Sequence, residues 1–115
     1  MNIPLAQHTP PELDRLIASF ESKVFKSITE PARAAIIKFL MLNGRADIST
    51  IASHLPQDRS VISRHLNMMA EAGILIAAKE TRHMYYSLNC RAFLDEFERI
   101  TQEIRECMAV CCPPE

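Results

Sequence analysis

At 115 residues, 48% hydrophobic and 23% charged, the chain has the length and balance of one globular domain. Its longest apolar runs, Phe39–Leu42 and Ile74–Ala78, fall far short of the roughly 20 residues that span a bilayer. Met1-Asn2-Ile3-Pro4 lacks the basic start of an export signal, so a cytoplasmic protein with no membrane partner is expected, its four cysteines thiols rather than disulfides.

In chain order, Thr9 and Glu12 make a capping box with Pro10 in the first helical position. Leu13, Leu16, Ile17, Phe20 and Val24 recur at helical spacing behind it, which predicts a first helix over residues 9–25. Thr29 is placed to cap a second helix that carries Pro31 in its first turn, buries Ile36, Ile37 and Leu40 and stops at Asn43-Gly44. A short helix from Asp47 or Ser49 to His54 follows. After Pro56-Gln57-Asp58, a helix from Arg59 to Ala72 buries Ile62, Leu66 and Met69, and Gly73 ends it. Ile74–Lys79 and His83–Leu88 read as two strands joined across Glu80-Thr81-Arg82. Arg91 to about Cys111 reads as a long last helix, stopped by Pro113-Pro114.

Two helices joined by a short turn form a helix-turn-helix (residues 47–72), and the hairpin behind it (residues 74–88) is its wing. The expected fold is therefore mainly α with a two-stranded β wing, a single winged helix-turn-helix domain over residues 1–115. A helix that reads DNA needs short or planar hydrogen-bonding side chains on its open face, because Arg matches guanine, Asn matches adenine and Ser suits base or phosphate. Arg59, Ser60, Ser63, Arg64 and Asn67 supply that face, with His65 at its edge. Lys79, Arg82 and His83 lie on the wing, where they can track phosphates or the minor groove. The net charge of −1 hides the basic middle this requires: residues 25–90 hold eight basic against five acidic side chains, and residues 91–115 three against six.

Four series carry a resemblance in order: Ile28-Thr29-Glu30-Pro31-Ala32-Arg33, Val61-Ile62-Ser63-Arg64-His65-Leu66, Glu71-Ala72-Gly73-Ile74-Leu75 and Met84-Tyr85-Tyr86-Ser87-Leu88-Asn89. Over about residues 20–90 the chain resembles the ArsR/SmtB family of bacterial transcriptional regulators. The resemblance implies a dimeric winged-helix repressor that leaves DNA when a ligand, often a metal or metalloid, binds. Two departures matter. The family's cysteine pair at the short helix is replaced by Asp47 and Ser49, and its last-helix zinc site needs histidine, which this helix lacks.

Phe93, Phe97, Ile100, Ile104, Cys107 and Cys111 follow one another at spacings of 4, 3, 4, 3 and 4, a heptad seam. With Leu13, Leu16, Ile17 and Phe20 of the first helix, it predicts a homodimer joined through residues 9–25 and 91–112 and bound to a palindromic operator duplex. Three of the four cysteines cluster at the end: Cys107 and Cys111 one helical turn apart, and Cys112 beside Pro113. Three thiolates in a pyramid suit trivalent arsenic or antimony, As(III) or Sb(III), as inducer, and soft thiolates also select other thiophilic ions. Cys90 has no close partner in sequence. Two alternatives stay open: a redox or persulfide response of the same thiols, and a protein-binding module with little DNA affinity. An enzyme is not expected, since His8, His54, His65 and His83 are scattered, with no acid, base and nucleophile gathered around them.

Overall fold

The computed structural model describes residues 9–111. Its elements are α1 (Pro11–Phe20), α2 (Lys23–Ile28), α3 (Pro31–Asn43), β1 (Ala46–Asp47), α4 (Ile48–Ser53), α5 (Arg59–Glu71), β2 (Leu75–Glu80), β3 (His83–Leu88) and α6 (Cys90–Cys111).

The apolar positions that set helix periodicity also form the core. Ile36, Ile37 and Leu40 of α3, Ile51 of α4 and Ile62, Leu66 and Met69 of α5 meet Ile74 at the entry to β2, Leu75 of β2 and Tyr86 of β3 in one buried cluster. Gly44 and Gly73, which follow α3 and α5, take φ of +75° and +85°, positive values that glycine adopts at low steric cost. The sheet is antiparallel in the order β1-β3-β2, with Ala77 opposite Tyr86 and Glu80 opposite His83. It is the wing expected from sequence, with two corrections. Glu80 belongs to β2, which leaves a two-residue turn with Thr81 at φ 53°. In addition, the two-residue β1 adds a third strand against Tyr85 and Tyr86.

The first predicted helix is in fact two. Glu21 closes α1, and the Ser22 side chain accepts a hydrogen bond from the Phe25 backbone N–H to start α2. Pro10 rather than Thr9 stands at the start of α1, and Glu30 rather than Thr29 at the start of α3, neither with a side-chain cap bond. Thr29 instead donates its hydroxyl back to the Lys26 carbonyl.

α6 runs beside α1 and away from the winged core, giving principal extents of 59 × 26 × 23 Å. Ser19 of α1 is buried between the two helices; it accepts from Arg99 Nη1 at 2.7 Å and donates to Glu103, and Arg99 also pairs with Glu96 and Glu103.

The expected seam on α6 divides between two surfaces. Phe93 packs against the winged core, and Ile100 and Cys107 are buried, while Phe97, Ile104 and Cys111 face outward. The outward line is Leu94, Phe97, Thr101, Ile104, Met108 and Cys111, spaced 3, 4, 3, 4 and 3, every one exposed. On α1, Leu13 and Leu16 are half-buried, and Ile17 and Phe20 are exposed.

Candidate nucleic-acid interface

α4 and α5 are joined through Leu55–Asp58, and α5 turns its apolar side inward so completely that Ile62, Leu66 and Met69 have no accessible surface. The opposite side must then be polar, and the sequence places Arg59, Ser60, Arg64 and Asn67 there, all exposed, with Ser63 half-buried beside them. Arg64, Asn67 and Ser60 make no side-chain hydrogen bond or ion pair with other described residues, so their donors are available to a ligand. Arg59 is fixed differently: its Nη1 donates to Ser49 Oγ at 2.9 Å and ties the start of α5 to α4. Nothing in the sequence pattern signals that tie between residues ten positions apart.

His65 stands apart from this face. Its side chain is 16% exposed and points back at α3, where Nδ1 accepts from Arg33 Nε at 3.2 Å and Nε2 lies 3.6 Å from Glu30 Oε2. Ser63 and His65 are thus both less open than the sequence suggested, and Glu30 and Arg33 were missed as neighbours of α5. The only available signal was their position at the start of α3.

On the wing, Lys79 and Arg82 are exposed and unpaired among the described residues. His83 is exposed but faces inward along the sheet, its Nδ1 3.7 Å from Asp47 Oδ2. Asp47 in turn accepts from the Thr50 N–H at 2.9 Å, capping α4. The bonds to Thr50 chiefly, and then the nearby His83, hold the Asp47 carboxyl below the usual carboxylate range. Arg45 lies 4.1 Å over the Tyr85 ring and pairs with Glu80 at 2.6 Å, so one cation braces an aromatic of β3 against the end of β2 next to the turn. Burial of Tyr86 raises its phenol above its ordinary value. Arg59, Arg64, Lys79, Arg82 and His83 therefore place cationic or imidazole side chains on the open parts of the helix-turn-helix and wing.

The thiols are placed less compactly. Cys107 is buried and Cys111 exposed one turn further along α6, while Cys112 lies outside the described residues. Among the described residues no three His, Cys, Asp or Glu side chains gather as a metal site. Cys90 is exposed at the other end of α6, on an apolar recess of about 310 Å³ lined also by Met41, Leu88, Phe93, Leu94 and Phe97. No described helix is long and apolar enough to cross a membrane.

Comparison with known proteins agrees with this geometry. Residues 30–77 match the family model for bacterial regulatory proteins of the arsR family. The chain is 37% identical over 71 residues to an uncharacterized HTH-type transcriptional regulator of Methanocaldococcus jannaschii, covering 61% of this chain and 80% of that protein. It is 28% identical over 87 residues to the arsenical resistance operon repressor of Escherichia coli, covering 70% and 74%. Among solved structures, a homodimeric winged helix-turn-helix DNA-binding domain from Mycobacterium bovis superposes with a TM-score of 0.61 at 16% identity, over 96% of this chain and 99% of that one.

Proposed function

Since the chain belongs to the arsR family of bacterial regulatory proteins and is a DNA-binding transcriptional repressor rather than an enzyme, we propose that it acts as a homodimer on a palindromic operator and is released by trivalent arsenic or antimony held by Cys107, Cys111 and Cys112. The reading side chains are Ser60, Ser63, Arg64 and Asn67 on α5, with Arg59 at its start and Lys79, Arg82 and His83 on or beside the backbone. The observation that carries this reading is the polar face of α5, where Ser60, Arg64 and Asn67 are exposed and unpaired among the described residues, directly above a fully buried apolar one. A second copy covers the outward line of α6 together with Ile17 and Phe20. That line is an apolar stripe, and an exposed stripe of this kind marks an interaction surface. The Mycobacterium bovis protein of the same fold is homodimeric.

Inducer binding joins the thiol end to the dimer. Arsenous acid exchanges its three hydroxyls for three cysteine sulfurs: three S–H protons leave with the three hydroxyls as water, three As–S bonds form, and arsenic stays trivalent. Cys107 is buried on α6, the helix that packs beside α1, and Cys111 is exposed. Bringing their sulfurs to one atom therefore disturbs the last turn of α6, the part that both α1 and the second copy rest on. A coupling of about 1–3 kcal/mol, about 5–150-fold in operator affinity, is the usual scale of such linkage. The relation to an arsenical resistance operon repressor supports the choice of ligand.

The test is operator release at fixed salt by arsenite, antimonite, zinc, cadmium and peroxide, on the native chain and on Cys107→Ser, Cys111→Ser and Cys112→Ser. Release by arsenite and antimonite that each substitution weakens is expected. Release by peroxide alone would favour the redox response, in which the exposed Cys90 also has a part.

A further inference from the structure

We propose that Glu30, His65 and Arg33 form a positioning relay that fixes the rotation of α5 against α3, and that His65 serves DNA recognition through this relay without touching DNA. The proposal rests on α5 being the reading helix.

Arg33 donates through Nη1 to the Lys26 carbonyl in the last turn of α2 (2.7 Å) and through Nε to His65 Nδ1 (3.2 Å). One guanidinium thus joins α2 to α5 across the start of α3. Because Nδ1 accepts, the neutral imidazole carries its proton on Nε2, and that nitrogen faces Glu30 Oε2 at 3.6 Å. Among the described residues, Glu30 Oε2 is buried with no hydrogen-bond partner. A buried carboxylate oxygen ordinarily has one, and the separation to Nε2 is a few tenths of an ångström beyond a bond. The relay is therefore drawn but not closed, and a small movement of α5 toward α3 closes it.

Such a movement matters because base recognition is unforgiving. Side chains stand about 5 Å from a helix axis, so a rotation of about 20° carries their tips by about 2 Å, enough to lose a hydrogen bond. The apolar side of α5 cannot set that angle alone, since the contacts of Ile62, Leu66 and Met69 lack direction. A planar imidazole held at Nδ1 by Arg33, and at Nε2 by Glu30 once the relay closes, supplies it.

The experiment measures binding to a duplex selected from a random-sequence pool by the native protein, at several salt concentrations, for His65→Gln, Glu30→Gln, the double variant and His65→Asn. Asn retains an acceptor near the Nδ1 position and serves as the partial rescue. Each Gln substitution is expected to weaken specific binding about tenfold. Non-specific affinity and the salt slope should stay unchanged, the melting temperature should stay near native, and the double variant should be no weaker than the worse single. His65→Asn should bind between the native chain and His65→Gln. A salt slope smaller by about one in both His65 variants would mean a phosphate contact and overturn the relay; additive losses in the double variant, or no loss in either single, would overturn it too. Arg64→Ala is run alongside: unchanged operator affinity there would remove α5 as the reading helix and this inference with it.

Discussion

Replacing Phe97 and Ile104 together by alanine isolates the outward line of α6 from the rest of the fold. Both side chains lie on the exposed line, with 39% and 41% of their surfaces open. Fully burying a Phe or Ile is worth about 1.5–3 kcal/mol, so about 1 kcal/mol per side chain remains to be gained when a partner covers what is left. A two-fold interface holds two copies of each residue, and the double substitution therefore removes about 4 kcal/mol, close to a thousandfold weaker dimer. Since neither side chain belongs to the buried core, helical content should match the native chain. Sedimentation equilibrium at micromolar protein reads the association directly. Leu42→Ala on α3, where the side chain is 74% exposed but off this line, is the control and should leave the dimer intact. A Phe97→Ala/Ile104→Ala variant that sediments as the native dimer would refute the assignment of this face.

Lys79→Ala and Arg82→Ala should each weaken operator and non-specific DNA binding alike, and each should lower the salt slope by about one, as loss of a phosphate contact requires. Binding titrations across a range of salt concentrations check this. Asp47 should titrate below the ordinary carboxylate value of 3.8, followed by carbon NMR of its side chain, and Thr50→Val should move it part of the way back by removing the hydroxyl's contribution. Because its folded value is depressed, the stability Asp47 contributes is complete above the unfolded value and is lost as pH falls through the folded one. Acid unfolding of Thr50→Val should accordingly depend less on pH below about 4 than that of the native chain.

The winged core was legible because each of its elements shows one apolar face and one clear stop. Ile62, Leu66 and Met69 at spacings of four and three are all fully buried, and Gly73 ends the helix they define. The last helix was harder for the opposite reason. It carries two adjacent apolar lines, Phe93, Ile100 and Cys107 inward and Leu94, Phe97, Ile104 and Met108 outward. A heptad count threads both as one seam. The break between α1 and α2 was hidden because Glu21 and Ser22 are ordinary helix-surface residues until Ser22 turns its hydroxyl to the Phe25 N–H. The two-residue β1 carries no periodicity at all, and only Tyr85 and Tyr86 opposite it give it a partner. At the DNA face, sequence identified the polar residues of α5 but not their internal ties. Arg59 to Ser49 and His65 to Arg33 join residues 10 and 32 positions apart.

The thiol count of the operator complex, taken on the same sample as its arsenite release, bears most directly on the proposed release by trivalent arsenic. With four cysteines in the chain, three should become unreactive per protomer as the operator is freed, while Cys90 still reacts. Release of the operator with all four thiols still titratable, or with Cys90 consumed in place of one of the C-terminal three, would contradict the account.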